Sequence, residues 1–363
     1  MRILHITDVY RPAVGGIEVF VEELAHQQHA AGHEVSVLTR ARGASAFSDD
    51  VAVIGYGSRE VRLNDFDVVH AHLSVLSPMT SMVMRQATVR RVPVVATVHS
   101  MWAGRGAIVK AVAVAAGWQR HQPVWTAVSS IAAREVHDLL PGANVHVVPN
   151  AVDVNYWREG IATPYEVSVP EVPTLLAVNR LAPRKRPMAL LHQLVEVRRM
   201  APDQPFRARI VGAGPLEKRM RGWIDHHGMH DIVTLTGGVA RSEVRRMCHS
   251  ADLFVAPAHQ ESFGIAALEG RAAGLPVLAM SSGGVGEFVH DGVDGVLCDD
   301  DHAMAAAIVR LLKDRDEWLR MARHNHEVPP NYGWDRTLVG FSEAYAAAGA
   351  DGGAGGIRTR EGY

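Results

Sequence analysis

The chain has 363 residues, of which 47% are hydrophobic, and this is enough to bury the cores of about two domains. Its 37 lysines and arginines are balanced by 39 aspartates and glutamates, so the overall positive charge typical of nucleic-acid-binding proteins is missing. Two cysteines, Cys248 and Cys298, argue against a disulfide framework, and neither a signal peptide nor a membrane-spanning segment is predicted, so we expect a cytoplasmic protein.

Short apolar runs alternate with helical segments in the first part of the chain. The segment from Ile17 to Ala31 shows the helical period, with Ile17, Phe20 and Leu24 on one face and Gly32 at its end. Such alternation predicts a doubly wound parallel sheet. The predicted strands are Ile3–Thr7, Glu34–Leu38, Val51–Tyr56, Val68–His70, Val94–Val98, Val124–Val128 and Val145–Val148.

Two adjacent glycines, Gly15 and Gly16, follow the first predicted strand and precede the helix that begins at Ile17. Glycines allow the backbone to approach a ligand closely, and the start of a helix offers unpaired N–H groups to an anion. A Gly-Gly pair alone is more typical of a plain turn. Its place directly after the first strand is what favours a binding loop.

Histidines mark the ends of two predicted strands. His99 follows the strand Val94–Val98, and the carboxyl end of a parallel strand is where ligands bind in such sheets. His70 and His72 have the spacing of neighbours on one face of a strand. A metal pair is conceivable, but no third ligand is visible in the sequence, so we expect these two side chains to line a cleft.

A second alternating series follows a linker at Asp153–Pro173 that is rich in proline, aromatic and charged residues. This pattern predicts a second parallel sheet, with residues 1–160 forming the first domain and residues 170–330 the second. Its predicted strands are Thr174–Val178, Ala208–Val211, Ile232–Leu235, Leu253–Ala256, Val277–Ala279 and Val296–Leu297.

A basic segment follows the first strand of the second series. Arg180 and Lys185 carry positive charges directly after Val178, where an arginine can bind two phosphate oxygens and a lysine acts as a point charge. A solvated basic loop is the plain alternative. The position at the end of a strand favours an anion site.

The most informative segment runs from Ala256 to Ala279. A short strand ends before Pro257, and a helix is predicted from Gly264 to near Gly274. The turn before the helix leaves backbone N–H groups available to phosphate. Glu261 in the loop and Glu269 within the helix are carboxylates that can accept hydrogen bonds from sugar hydroxyls. The segment therefore predicts a site for a nucleotide sugar, although an exposed helix residue and a charge at the helix start would explain the two glutamates more simply.

These motifs resemble those of the retaining glycosyltransferases of family 4. The two glutamates stand at the family's spacing, with Ser-Phe-Gly after the first and Gly-Arg-Ala-Ala-Gly-Leu-Pro-Val after the second. The resemblance covers nearly the whole chain and implies the GT-B fold, in which two Rossmann-like domains face each other and a C-terminal helix returns to the first. We thus expect residues 333–348 to complete an acceptor-binding first domain, and residues 349–363 to form a disordered tail.

The resemblance also assigns roles to the candidate residues. It implies that Glu269 binds the donor ribose, that Glu261 faces the transferred sugar, and that Arg180 and Lys185 bind the diphosphate. In the same way, His99 contacts the sugar, and the Gly15–Gly16 loop lies over the phosphates. The backbone that holds the diphosphate is contributed by Phe263, Gly264 and Ile265. The family usually has glycine at the positions of Asn179 and Arg186, so the geometry of the basic loop is open.

The implied activity is the transfer of a hexose from GDP-mannose or a UDP-sugar to an acceptor hydroxyl, with retention of configuration and without a cofactor or metal. Asp65 and Asp67 have the spacing of a metal motif, but capping of the next strand is the simpler interpretation. Other functions are a nucleotide-sugar epimerase of the same fold and a non-catalytic binder of nucleotide sugars. A nicotinamide dehydrogenase is disfavoured, because Glu217 replaces the third glycine of the fingerprint that starts at Gly212.

The acceptor is not specified by the sequence, and a glycan or a lipid fits equally. Segments 78–91 and 101–120 mix apolar residues with arginine and lysine, as helices at a membrane surface do. Ordinary amphipathic core helices give the same pattern. Peripheral contact with the inner face of a membrane is therefore one of two interpretations.

Overall fold

Two parallel sheets organise the chain, each within its own compact unit. The computed structural model describes residues 1–12, 15–41, 50–57, 61–102, 106–118, 123–163 and 167–351. The first unit comprises Met1–Ala151 and the segment that begins at Trp334, and the second comprises Val152–Gly333.

The first unit contains a seven-stranded parallel sheet in the order β3-β2-β1-β4-β5-β6-β7. Its strands are β1 (Arg2–Thr7), β2 (Glu34–Thr39), β3 (Ala52–Gly55), β4 (Val68–Leu73), β5 (Val94–Val98), β6 (Val124–Ala127) and β7 (Val145–Val147). Its helices are α1 (Gly16–Ala30), α2 (Pro78–Val89), α3 (Gly106–Ala116), α4 (Ser130–Leu139) and the C-terminal α12 (Trp334–Asp351). The strand order reverses between β1 and β4, as in doubly wound sheets.

Helix α1 forms where the apolar period predicts it. Phe20, Val21 and Leu24 are buried on one face, and the helix ends before Gly32, whose φ of 87° is in the left-handed region that glycine favours. All seven strands predicted from the sequence are present, with ends that shift by a few residues at most. The sequence pattern therefore locates the elements of this unit well.

The C-terminal helix α12 packs on the first unit, as the fold prediction required. Thr337 donates a hydrogen bond from its hydroxyl to the carbonyl of Pro149 at 2.9 Å, and the ring of Phe341 is fully buried. The ring centroids of Phe341 and Phe20 are 6.3 Å apart, so α12 packs against α1. The helix continues through Gly349 to Asp351, and the rest of the tail predicted from Gly349 lies outside the described residues.

The second unit contains a six-stranded parallel sheet in the order β10-β9-β8-β11-β12-β13. Its strands are β8 (Thr174–Val178), β9 (Arg207–Val211), β10 (Val233–Gly237), β11 (Leu253–Ala256), β12 (Val277–Met280) and β13 (Gly295–Cys298). Its helices are α5 (Val154–Arg158), α6 (Pro187–Met200), α7 (Glu217–His226), α8 (Arg241–His249), α9 (Ile265–Ala272), α10 (Asp301–Lys313) and α11 (Arg315–Glu327). Here the strand order reverses between β8 and β11. The prediction of two doubly wound parallel sheets is confirmed.

Two local interpretations from the sequence were wrong, and one neighbouring histidine was not anticipated. His70 and His72 do not line a cleft, because they are 0% and 1% exposed and lie among other histidines in the interior of the first unit. A third histidine, His5 on β1, lies beside them and was not anticipated. Asp67 does not cap the strand that follows it: its carboxylate accepts a hydrogen bond from the backbone N–H of Arg2, at the start of β1.

Candidate active site

The site in the second unit is built where its strand order reverses. Strands β8 and β11 are hydrogen-bonded neighbours, so the loops that follow them, residues 179–186 and 257–264, emerge side by side at the carboxyl edge of the sheet. Lys185 in the first loop donates a hydrogen bond from Nζ to Oε2 of Glu261 in the second, at 2.5 Å. The structure therefore brings together two predicted site residues that are 76 positions apart. Ligands bind at such switch points in open α/β sheets.

Helix α9 begins at this edge, four residues after Glu261. Its N-cap residue is Gly264, whose φ of 98° is in the left-handed region and whose Cβ, if present, would lie 2.7 Å from Cγ2 of Val285. Glycine is therefore required at this position. It also leaves the first turn of α9 without a capping side chain, so the backbone N–H groups of Ile265, Ala266 and Ala267 are donors without an intrahelical acceptor, whereas that of Leu268 already bonds to the carbonyl of Gly264. Together with the helix dipole, they form a site for an anion.

Phe263 lies in the loop before α9 with its side chain in the interior. The residue is 1% exposed, and its ring packs against the rings of Phe288 and Tyr332, with centroid distances of 5.3 and 5.7 Å. The backbone carbonyl of Glu261 accepts a hydrogen bond from the N–H of Gly284 at 2.7 Å. The loop before α9 is thus held from both sides, by the buried ring of Phe263 and by the backbone of Glu261.

The two predicted cations differ in their surroundings. Lys185 is half-buried, and its charge is partly neutralised by Glu261. Arg180 is exposed, and among the described residues no carboxylate lies within ion-pair distance of it. Arg180 is therefore available to a phosphate as it stands, whereas Lys185 would exchange or share Glu261 when a phosphate binds.

Arg186 explains one departure from the family pattern. Its φ of 54° is in the left-handed region, which accounts for the glycine that the family usually has there. Its guanidinium binds both carboxylate oxygens of Asp301 at 2.7 Å and donates to the carbonyl of Pro257 at 3.2 Å. This hydrogen bonding lowers the pKa of Asp301. Arg186 is therefore a brace between the two site loops and the start of α10.

The turn after β9 also packs against the basic loop. Gly212 has a φ of 138°, and a Cβ there would lie 1.9 Å from the backbone oxygen of Asn179. The N–H of Asn179 donates to the carbonyl of Val211 at 3.0 Å. This close backbone contact requires glycine at position 212. Packing against the basic loop is therefore the reason for the glycine with which the segment resembling a dinucleotide-binding fingerprint begins.

Glu269 is buried, so the interpretation of an exposed helix residue is excluded. It is 9% exposed on the inner side of α9, and burial raises the pKa of its carboxyl to about 7. Arg241 at the start of α8 opposes this shift, with its Nη2 3.3 Å from Oε1 of Glu269. The guanidinium of Arg241 lies over the rings of Tyr156 and Trp157. A carboxylate held in this way is a strong acceptor for hydroxyl groups.

Arg241 was not predicted from the sequence to be a site residue. Nothing in the sequence indicates that this arginine, the first residue of α8, contacts Glu269 on α9, which is 28 positions further along the chain. The structure places its charge beside Glu269, and its partners Tyr156 and Trp157 belong to the predicted linker. The linker is therefore partly structural: α5 is formed within it, and Trp157 is fully buried.

The candidate residues of the first unit lie at the carboxyl edge of its own sheet. Gly15 is the N-cap of α1, and Gly16 is the first residue of that helix, which follows β1. His99 follows β5 and is 6% exposed; its Nε2 lies 2.9 Å from Nδ1 of His72. Burial lowers the pKa of His99 to about 3, so the ring is neutral.

Comparisons with known proteins agree with this geometry. The family model described as "Glycosyl transferases group 1" matches residues 166–327, and that described as "Glycosyltransferase Family 4" matches residues 14–156. The chain is a family 4 glycosyltransferase. The first model spans the loops of Lys185 and Glu261 and the helix of Glu269, and the second spans Gly15, Gly16 and His99.

Curated relatives of this glycosyltransferase extend over nearly its whole length. It is 28% identical to a GDP-mannose-dependent alpha-(1-6)-phosphatidylinositol monomannoside mannosyltransferase of Mycobacterium tuberculosis, an alignment that covers 92% of this chain and 95% of the relative. It is 29% identical to a glycogen synthase of the same organism, with 96% and 95% covered. The two relatives differ in the product that their names state.

A solved structure shows the same fold. HepE of Anabaena, in complex with UDP, superposes with a TM-score of 0.77 at 20% identity, covering 96% of this glycosyltransferase and 100% of HepE. The expectation of a GT-B fold is confirmed. Among the described residues, no helix combines the length and apolar character that crossing a bilayer requires.

Proposed function

We propose that this family 4 glycosyltransferase binds a nucleoside diphosphate hexose at the switch point of its second unit and transfers the hexose, with retention, to an acceptor hydroxyl. The observation that carries the proposal is the position of the Lys185–Glu261 pair at the uncapped start of α9. A cation, a carboxylate paired with it and the uncapped start of a helix occur there side by side, although the cation comes from a distant part of the chain. This combination suits a diphosphate joined to a polyhydroxyl group.

The donor diphosphate binds to the start of α9 and to the two cations. The backbone N–H groups of Phe263, Gly264 and Ile265 donate to phosphate oxygens, and Arg180 and Lys185 neutralise the charge. The ribose hydroxyls donate to Glu269. Glu261 then lies next to the sugar end of the diphosphate, because it is in the loop before the helix start and pairs with Lys185.

The reaction needs stabilisation of the departing diphosphate and of positive charge on the sugar. The bond between the anomeric carbon and the diphosphate oxygen breaks, and the acceptor oxygen bonds to the same face of that carbon. The acceptor proton passes to an oxygen of the departing phosphate. Lys185, Arg180 and the helix start hold the negative charge that develops, and Glu261 faces the positive charge on the sugar. We further propose that His99 contacts the transferred sugar and that the Gly15–Gly16 loop contacts the phosphates.

The relatives support a choice of donors to test. A named GDP-mannose-dependent mannosyltransferase and a glycogen synthase are matched over more than nine tenths of this chain, so mannose and glucose donors are the ones to test. The acceptor is a hydroxyl on a lipid or a glycan. The solved relative with bound UDP supports a nucleoside diphosphate as the common part of the donor.

The test is product analysis with GDP-mannose, UDP-glucose and ADP-glucose, each incubated with and without simple acceptors such as myo-inositol and maltotetraose. We expect transfer from one donor, and an anomeric configuration, read by proton NMR, equal to that of the donor. A changed nucleotide sugar in the absence of acceptor would instead identify an epimerase. Binding of a donor without any transfer or hydrolysis would identify a non-catalytic binder.

A matched pair of lysine variants tests whether transfer depends on the switch point of the second unit. Lys185→Met removes the charge next to Glu261, and Lys313→Met removes an exposed charge at the last position of the 13-residue helix α10. Because α10 begins after β13 at the carboxyl edge and runs back along the sheet, Lys313 lies at the opposite edge. We expect transfer to be lost with the first variant and kept with the second; equal effects would contradict the proposed site.

A further inference from the structure

One face of helix α8 packs on the short helix α5. Arg241, Arg245 and His249 follow one another at intervals of four residues, so their side chains leave α8 on the same side. The guanidinium groups of Arg241 and Arg245 lie over the ring of Tyr156, 5.6 and 4.6 Å from its centroid. Nε2 of His249 lies 2.9 Å from the carbonyl oxygen of Trp157. Three side chains thus fasten α8 to α5, and Arg241 is one of them.

The two arginines of this face reach different carboxylates. Nη2 of Arg241 lies 3.3 Å from Oε1 of Glu269, which is buried on α9. Nη1 of Arg245 lies 3.1 Å from Oε2 of Glu159, which is exposed just after α5. Both arginines therefore contact the same ring, but only the contact of Arg241 with Glu269 leads into the candidate site.

The position of Arg241 is unfavourable for α8 itself. It is the first residue of the helix, where the helix dipole and the unpaired backbone N–H groups favour a negative charge. Glu243 in the first turn has the favourable sign, and it pairs with Arg246. A positive charge at the first position is therefore stabilised by contacts outside α8, and Glu269 supplies a negative charge there.

Among the described residues, no cation other than Arg241 lies within ion-pair distance of Glu269. Cys248, also on α8, is nearby, but burial and then the charge of Glu269 raise the pKa of its thiol well above the ordinary value, so the thiol is neutral. Arg158 on α5 donates to two backbone carbonyl groups in the last turn of α11, and Arg271 on α9 pairs with Asp294. Strands β11 and β12, which α9 contacts, contain only apolar residues. The charge of Glu269 is therefore balanced by Arg241.

This ion pair decides which form of the Glu269 carboxyl is present near neutral pH. Burial raises the pKa of Glu269 to about 7, while the charge and the hydrogen bond of Arg241 act in the opposite direction. Without Arg241, burial would act unopposed, and the protonated form would prevail at neutral pH. An ionised carboxylate only accepts hydrogen bonds, whereas a protonated carboxyl carries a hydrogen of its own. Hydroxyl groups that donate therefore need the ionised form.

We propose that Arg241 is a positioning residue for donor binding: it holds Glu269 in the ionised form that accepts the ribose hydroxyls, and so sets the lowest pH at which the donor binds well. This inference rests on the proposed function, which supplies the contact between Glu269 and the ribose. A purely structural role, the fastening of α8 to α5, is the alternative. Arg245 makes the same kind of contact with Tyr156 without reaching the site, so it provides a matched control.

The first test is calorimetric titration of the wild type and Arg241→Met with GDP-mannose, UDP-glucose and ADP-glucose over a range of pH. These probes lack a terminal phosphate, whose second ionisation at a pH of about 6 would disturb the measurement. We expect affinity in the wild type to rise through about pH 7. In the variant the rise should come about one pH unit later, the lower end of the range for a nearby charge, because the Arg241 side chain is 34% exposed. Arg241→Met should then bind about fivefold more weakly at pH 7 and nearly as well as the wild type at pH 9.

Two further variants separate the charge of Arg241 from its packing. Arg245→Met removes a guanidinium from the ring of Tyr156 but keeps the partner of Glu269, so we expect the pH dependence of the wild type. Arg241→Lys keeps a positive charge, so affinity should rise at nearly the same pH as in the wild type. A loss in Arg241→Met that is equal at every pH, or a lysine variant that behaves like the methionine variant, would overturn the proposal.

The charge of Glu269 can also be followed without a donor, by urea denaturation at different pH values. Each protein is compared with its own Glu269→Gln counterpart, so that the titration of other groups cancels. The folded protein holds the Glu269 proton more tightly than the unfolded chain, so relative stability falls from pH 4.5 and levels off at about pH 7 in the wild type. In Arg241→Met it should level off about one pH unit higher, and the same end-point in both proteins would overturn the proposal. If the wild type binds no nucleotide sugar, the proposed function fails, and these curves still decide whether Arg241 holds the charge of Glu269.

Discussion

Substitution of Glu269 by glutamine should change stability and donor binding in opposite directions. The carboxyl is 9% exposed and its pKa is raised from 4.5 to about 7, mainly by burial. The folded protein therefore holds this proton more tightly than the unfolded chain, so stability falls as the pH rises from 4.5 to about 7 and is constant above that. The difference corresponds to about 3 kcal/mol at pH 8.

Glu269→Gln removes this cost because glutamine is neutral at every pH. We expect the free energy of unfolding from urea denaturation to rise by up to about 3 kcal/mol at pH 8, and to change little at pH 5, where the folded carboxyl is already protonated. Donor affinity at pH 8, measured by calorimetry, should fall about 10- to 100-fold, because hydrogen bonds from hydroxyls to a charged acceptor are lost.

The wild type offers a further check on the same residue. If ribose hydroxyls donate to Glu269, its ionised form is favoured in the complex, so donor affinity should rise as the pH increases through about 7. This dependence should vanish in Glu269→Gln. A variant that is less stable than the wild type at pH 8 would contradict the raised pKa of Glu269. A variant that gains stability while binding the donor equally well would contradict its contact with the ribose.

Three further experiments test the phosphate contact of Lys185, the start of α9 and the surface of α2. Lys185→Met should weaken binding of the free nucleoside diphosphate about 10- to 100-fold in calorimetry, because a charge-assisted contact to phosphate is lost; unchanged affinity would remove Lys185 from the site. Gly264→Ala should lower the free energy of unfolding by roughly 1 to 3 kcal/mol in urea denaturation, since alanine is strained at a φ of 98°, and a neutral effect would contradict the geometry of the helix start. Alanine at Arg85, Arg90 and Arg91, exposed on and just after α2, should reduce flotation with anionic liposomes about fivefold per residue, and unchanged flotation would exclude membrane contact through this helix.

The sequence predicted the elements and the location of the site because both depend on local pattern. Strands β8 and β11 were predicted with the bounds that the structure shows, and the start of α9 after Gly264 follows from the turn and the apolar run. The same pattern places Glu261 and Lys185 after strands. That is sufficient to predict a site at a sheet edge, but not which side chains pair there.

Contacts between side chains on distant elements could not be predicted from the sequence. The contact of Arg241 with Glu269 joins two helices, and no local period reports it. The burial of His70 and His72 depends on His5 and Tyr345, which come from β1 and α12 and supply the polar partners that make a buried histidine tolerable. Without those partners in view, exposure in a cleft was the simpler interpretation, and it was wrong.

Calorimetric titration of the wild-type protein with GDP-mannose, UDP-glucose and ADP-glucose tests the central claim most directly. We expect at least one of these donors to bind to the wild type. A Lys185→Ala, Glu269→Gln double variant should bind the same donor at least about 100-fold more weakly, because two charged contacts are lost. If the wild type and the double variant are equally unable to bind every donor, the second unit does not hold a nucleotide sugar at this site.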